Sequence, residues 1–156
     1  MPFTLSSIAF APNGDMPAHY TCEGSNVSPP LAWGGAPAQT RSFVLIVDDP
    51  DAPDPLAPKR VWVHWVICNL PATCAALAEN IAELSAGAFE CLNDFQRTQY
   101  GGPCPPIGRH RYFFKLYALD TLLPVQHDMA KPQVEQAMRG HVLAEAQLIG
   151  TYQRAR

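Results

Sequence analysis

The sequence predicts a mainly β domain with a small helical part, and three observations carry that reading. Three long segments are rich in β-branched and aromatic residues, 16 prolines punctuate the chain throughout, and a single stretch shows a helical apolar period. At 156 residues the chain is expected to form one domain, residues 1–156, large enough to bury a real core.

The elements follow in order. Segments near Phe3–Phe10 and around Leu31–Trp33 read as short strands. The second is entered through "TCEGSNVSPPLAW", whose Gly, Asn, Ser and paired prolines mark a loop. Residues 41–49, "RSFVLIVDD", are a continuous apolar run, the pattern of a central strand covered on both faces. Residues 60–70, "RVWVHWVICNL", are β-branched and aromatic between flanking prolines. In residues 111–120, "RYFFKLYALD", alternation puts Tyr112, Phe114, Leu116 and Ala118 on one face and Phe113, Lys115 and Tyr117 on the other. Residues 131–140, "KPQVEQAMRG", read as a helix. Pro132 suits the first turn, Val134, Ala137 and Met138 share a face, and Gly140 stands where a helix ends. A final strand is expected from about Ala144.

Charge and cysteine usage narrow the function classes. The net charge is −3 with no run of Lys or Arg, so a nucleic-acid partner is not expected, because phosphate contacts need clustered cations. No apolar stretch approaches membrane-spanning length. The N-terminus lacks a basic segment followed by a long apolar one, so a cytoplasmic location is expected. The five cysteines include no C-x-x-C pair, which argues against a zinc ribbon or a thioredoxin-like motif. Most thiols are expected to be reduced, with one disulfide left open and no pair chosen.

Three stretches hold candidate site residues. "VDDPDAPD" (47–54) ends a buried strand in four aspartates. Asp49 and Asp51 fit the first two positions of a calcium loop, but Pro50, Pro53 and Pro55 stiffen it and the required Gly and Glu are missing. Asp49, where the chain first leaves the core, is the binding candidate. Asp51 reads as a turn carboxylate, and Asp48 and Asp54 are expected to face solvent or backbone. His64 sits within an apolar strand, where alternation groups it with Trp62, Val66 and Cys68. There its ring nitrogens must be bonded or the ring neutral. Four strand residues span roughly 13 Å, too far for His64 and Cys68 to share an ion. In "YGGPCPPIGRHRYFF" (100–114), Gly101, Gly102 and Gly108 free backbone amides while Pro103, Pro105 and Pro106 hold the loop rigid. His110 and Tyr112 then share a face and Arg111 takes the other. The set makes a small-anion pocket, without the Gly-Lys-Ser/Thr of a nucleotide-binding loop.

Taken in order, "DDPDAP", "VWVHWVICNLP", "NDFQRTQYGGPCPPIGRHRYFFKLYALD" and "MRGHVLAEAQLIGTYQR" resemble the phosphatidylethanolamine-binding protein (PEBP) family, most closely its bacterial Raf-kinase-inhibitor-like branch. The resemblance implies an antiparallel β-sandwich, with a large central sheet, a smaller sheet and a helical element near the C-terminus. It implies a pocket for phosphate or phosphoethanolamine-like head groups, lined by Asp49, His64, Pro106, His110 and Tyr112, with Gly102 and Gly108 in the loop. Where animal members place a tyrosine before the strand carrying His64, this chain has Lys59. A kinase or protease partner and a homodimer are further implications. The alternative is a hydrolase or metal-dependent enzyme using Asp49, His64 and His110. No nucleophile or further ligand stands at a compatible position, so a binding role with neither cofactor nor metal is expected.

Overall fold

A computed structural model describes residues 2–126 and 128–155. Its elements are β1 (Thr4–Ser6), β2 (Leu31–Gly34), β3 (Ser42–Ala52), β4 (Arg60–Pro71), β5 (Ala76–Leu77), β6 (Phe89–Glu90), β7 (His110–Leu119), α1 (Lys131–Met138) and β8 (Val142–Tyr152), with a short 3₁₀ turn at Ala18–Tyr20. The strands form two antiparallel sheets, a small one in the order β1-β2-β5 and a large one in the order β6-β4-β3-β7-β8.

β3 is the central strand that its apolar run predicts. Phe43, Leu45 and Val47 point into a core shared with Leu5, Trp33, Trp65, Phe114 and Leu116, between the two sheets. Val44 and Ile46 point the other way, toward Val134 and Met138 of α1. Burying each such side chain contributes about 1.5–3 kcal/mol, so β3 anchors both layers. The predicted faces of β7 also hold: Tyr112, Phe114, Leu116 and Ala118 are buried, while Phe113, Lys115 and Tyr117 are half-buried on the far side.

Several boundaries differ from the sequence reading. The first strand is only three residues long, and the chain then leaves it for a loop whose Met16 and Phe10 still join the inter-sheet core. β8 begins at Val142, with a register shift between Ala118 and Leu119 of its partner β7. The helix ends at Met138, and Gly140 follows it with φ +80°, a conformation that favours glycine. β5 and β6, two residues each, carry no period long enough to be seen in the sequence.

Asp48 requires a correction. It continues the alternation of Val44 and Ile46, so it is buried under the α1 side rather than facing solvent. Its Oδ2 accepts hydrogen bonds from Lys115 Nζ at 3.1 Å and from Lys131 Nζ, at the start of α1, at 2.8 Å. Two ammonium groups from separate elements offset the cost of burying this charge. Asp54 does bond backbone, accepting from Leu56 N at 2.9 Å.

The cysteines divide. Cys22 and Cys104 form a disulfide across 82 positions, and Cys68, Cys74 and Cys91 are free. Among the described residues no helix is long and apolar enough to cross a membrane.

Candidate functional site

The site forms at the end of the large sheet where β3, β4 and β7 meet the loop 100–109. Antiparallel pairing brings the exit of β3 alongside the entry of β7, which places "DPD" against "HRY". Consecutive residues of one segment then clamp alternate residues of the other. His110 Nδ1 lies 2.6 Å from Asp49 Oδ2. Arg111 donates to Asp51 through its backbone N at 2.8 Å, Nε at 3.0 Å and Nη2 at 2.8 Å. This bidentate pairing with Arg111 holds the Asp51 carboxyl below the usual carboxylate range, despite burial. Asp51 is thus the structural member, as the sequence reading had it. It shapes the turn that also presents its N–H to Asp49 Oδ1 at 2.7 Å.

His110 is fully enclosed and both its ring nitrogens face acceptors. Nδ1 meets Asp49, and Nε2 meets the carbonyls of Ile107 at 2.8 Å and Pro53 at 3.1 Å. With both nitrogens so placed, His110 has no imidazole N–H left for a ligand. Burial outweighs the His110 contact and raises the Asp49 pKa, which favours keeping a proton within the pair. The same geometry disfavours a general-base pair or a metal ligand, because no lone pair of His110 is directed into open space.

His64 arrives by a route that simple alternation misses. Val47 pairs with Trp65 but Asp48 pairs with Val63, which leaves His64 as the extra residue of a β-bulge. Val66 and Cys68 point to the α1 side, whereas His64 turns with Trp65 to the opposite face. The grouping of His64 with Val66 and Cys68 is therefore wrong, while Trp62 does join it at the pocket. The His64 ring packs edge-on to Tyr112 and Phe95, with centroids 5.2 and 5.4 Å away. Its Nδ1 donates to Gly101 O at 2.6 Å. Complete burial depresses its pKa from 6.5 to about 4, so near neutrality the ring is uncharged and Nε2 is a bare acceptor.

These side chains line a cleft of about 430 Å³. Asp49, His64, His110 and Tyr112 form its floor and Pro106 part of its wall. Gly102 and Gly108 lie outside this lining. Gly102 N donates to Asn26 Oδ1 at 2.8 Å, and a Cβ there would stand 2.1 Å from the Tyr20 carbonyl oxygen, so Gly102 packs the loop against residues 20–26. Gly108, at φ +75°, borders a neighbouring depression of about 300 Å³ with Glu23 and Arg154. The disulfide closes the same wall from behind, since Cys104 lines the cleft and Cys22 N bonds Pro103 O at 3.0 Å.

Tyr112 supplies the most informative atom. Its hydroxyl is buried, without a hydrogen-bond partner, and desolvation pushes its pKa upward, so it stays protonated. Such orphans are rare in folded proteins and cost about 1–3 kcal/mol.

Sequence reasoning missed the outer half of the cleft. Trp62 and Phe95 meet edge-on at 5.5 Å, the Arg60 guanidinium lies 4.6 Å from the Trp62 ring centroid, and Lys59 completes the rim. Phe95 is placed by Asn93, whose Oδ1 accepts from Phe95 N at 2.9 Å while its Nδ2 bonds the His64 carbonyl at 3.2 Å. Trp62 was within reach of the i, i+2 relation to His64. Nothing in the sequence marks Phe95 as a neighbour of His64 apart from its place in the quoted resemblance.

A buried acid–histidine pair, a second histidine on a bulge and an unpartnered tyrosine thus meet in a cleft at one end of the β-sandwich's large sheet. The family model described as phosphatidylethanolamine-binding protein matches residues 6–153, and the chain belongs to that family. Three relatives span essentially the same length. A UPF0098 protein of Methanothermobacter thermautotrophicus is 49% identical, over 96% of this chain and 98% of the relative. A crystal structure of a PEBP homolog from Chlamydia trachomatis superposes with TM-score 0.91 at 39% identity, covering 99% of each chain. E. coli YbcL, described as a member of the mammalian PEBP family, gives TM-score 0.89 at 32% identity, covering 99% of this chain and all of that one.

Proposed function

We propose that this protein binds a small ligand bearing an acidic head group, phosphate or phosphoethanolamine-like, in the cleft floored by Asp49, His64, His110 and Tyr112. The observation that carries the reading is the Tyr112 hydroxyl, a donor kept buried and unpaired on a ring 5.2 Å from that of His64, whose Nε2 has no protein partner among the described residues. A fold bears that cost where a ligand completes the bonding. Lys59 and Arg60 at the mouth attract an anion before it reaches the floor. Trp62, Phe95 and the Pro53, Pro105 and Pro106 rings give an apolar passage for the rest of the ligand. Ligand occupancy regulating a kinase or protease partner is a further step of this reading, drawn from the family resemblance.

An NMR titration with inorganic phosphate and with O-phosphoethanolamine tests the proposal. Saturable shifts centred on Asp49, His64, His110 and Tyr112 are expected. No saturable response to either compound, or shifts confined to surface lysines and arginines, would overturn it.

A further inference from the structure

The floor of the cleft is not built as an anion hole, and its hydrogen-bond polarity says in which form the acidic group enters. A phosphate dianion needs donors on every side, yet few are present. His110 offers none, because both its nitrogens face Asp49, Ile107 and Pro53. The Asp49 carboxyl is an acceptor already engaged by His110 and Asp51 N. His64 spends its N–H on the Gly101 carbonyl, an acceptor only, which leaves Nε2 with a lone pair and no protein partner among the described residues. Among the buried groups of the floor, the Tyr112 hydroxyl is the donor left unpaired and His64 Nε2 the ring acceptor left unpaired, on rings 5.2 Å apart. The spare lone pairs of Asp49 add acceptors, while the Trp62, Lys59 and Arg60 donors stand in the outer part of the cleft.

We infer that the site takes a phosphate monoester as its singly protonated monoanion. The ligand's own P–OH donates to His64 Nε2, and the Tyr112 hydroxyl donates to an adjacent oxygen of the same phosphate. The inference rests on the head-group reading above and sharpens it. A donor–acceptor pair matches the O–H and O of one acid group, whereas a dianion would set its lone pairs against that of Nε2. A phosphodiester, such as the phosphate within an intact phospholipid, has no P–OH and leaves His64 unpaired. The charged and titratable groups around His64 fit this neutral role. Asp48 and Asp49 come from β3, His110 and Tyr112 from β7, and Asp94 from the loop after β6, while Lys59 and Arg60 stand at the rim. The depressed pKa of the His64 ring agrees with the geometry, since it keeps Nε2 unprotonated where the monoanion exists.

Calorimetric titrations with methyl phosphate and dimethyl phosphate, in buffers of differing ionisation enthalpy, test the inference. A phosphate monoester loses its second proton near pH 6. Methyl phosphate affinity is expected to be level just below that pH and to fall about tenfold per pH unit above it, with about one proton taken up per ligand bound. Dimethyl phosphate, a permanent monoanion with no P–OH, is expected to bind at least tenfold more weakly at about pH 5.5. Comparable affinity for the two esters, or methyl phosphate affinity independent of pH, would overturn the proton assignment while leaving head-group binding intact. Absence of any saturable response to methyl phosphate at every pH would overturn the head-group reading itself, and this inference with it.

Discussion

Replacing His64 by Gln separates the buried imidazole's titration from its packing. A Gln amide can still donate to the Gly101 carbonyl but has no proton to gain in acid. In the folded protein the His64 pKa falls from 6.5 to about 4, chiefly through desolvation of a completely buried ring. The folded state therefore binds fewer protons than the unfolded chain throughout that interval. The His64 contribution is fully present above about pH 6.5 and is lost as pH falls toward about 4. At about 1.36 kcal/mol per unit the whole window is worth roughly 3 kcal/mol, and the part between about pH 7 and pH 5 about 2 kcal/mol. Urea unfolding of both proteins at those two pH values measures it. Wild type is expected to lose about 2 kcal/mol more than His64→Gln over that interval. Titrations common to both proteins, such as that of Asp51, cancel in the difference. Equal losses would show that His64 titrates as it does in the unfolded chain, and the bare Nε2 acceptor would be lost in the mildly acidic range where the phosphate monoanion exists.

Three other outcomes follow from the packing. Asp48→Ala strands the Lys115 and Lys131 ammoniums and is expected to destabilise the fold by about 3 kcal/mol, read by urea unfolding. Cys22→Ser opens an 82-position cross-link and is expected to cost about 2–4 kcal/mol, with four reactive thiols instead of three in the denatured protein. Gly102→Ala forces a methyl against the Tyr20 carbonyl and Asn26 Oδ1, at 2.1 and 2.5 Å. It is expected to cost about 1–3 kcal/mol and to shift the backbone resonances of residues 20–26 and 100–106 together.

Long-period features were legible in the sequence and local irregularities were not. The doubly apolar run of β3 and the alternation of β7 forecast which side chains meet the two cores, because burial sets those patterns over ten residues or more. The same reasoning misplaced His64. A bulge adds one residue to β4 without leaving a mark in composition, and a single inserted residue reverses every face assignment before it. It also misread Asp48, since a carboxylate at an inward position is bearable only with Lys115 and Lys131 nearby. Lys131 lies 83 positions away, in an element whose docking no local pattern encodes. At the site, the residues of "DPD" and "HRY" were identifiable, but their pairing was not. That Asp49 takes His110 while Asp51 takes Arg111 follows from strand register, which closes His110 against protein acceptors and leaves His64 as the bare acceptor.

The account rests on the Tyr112 hydroxyl being held for a ligand, and Tyr112→Phe removes that atom alone. The measurement is phosphate-monoester affinity beside urea stability for wild type and Tyr112→Phe at about pH 6. The account predicts stability unchanged or raised by about 1 kcal/mol, because a buried unpaired hydroxyl is gone, together with affinity reduced about tenfold or more. Unchanged affinity in a stably folded Tyr112→Phe protein would contradict it.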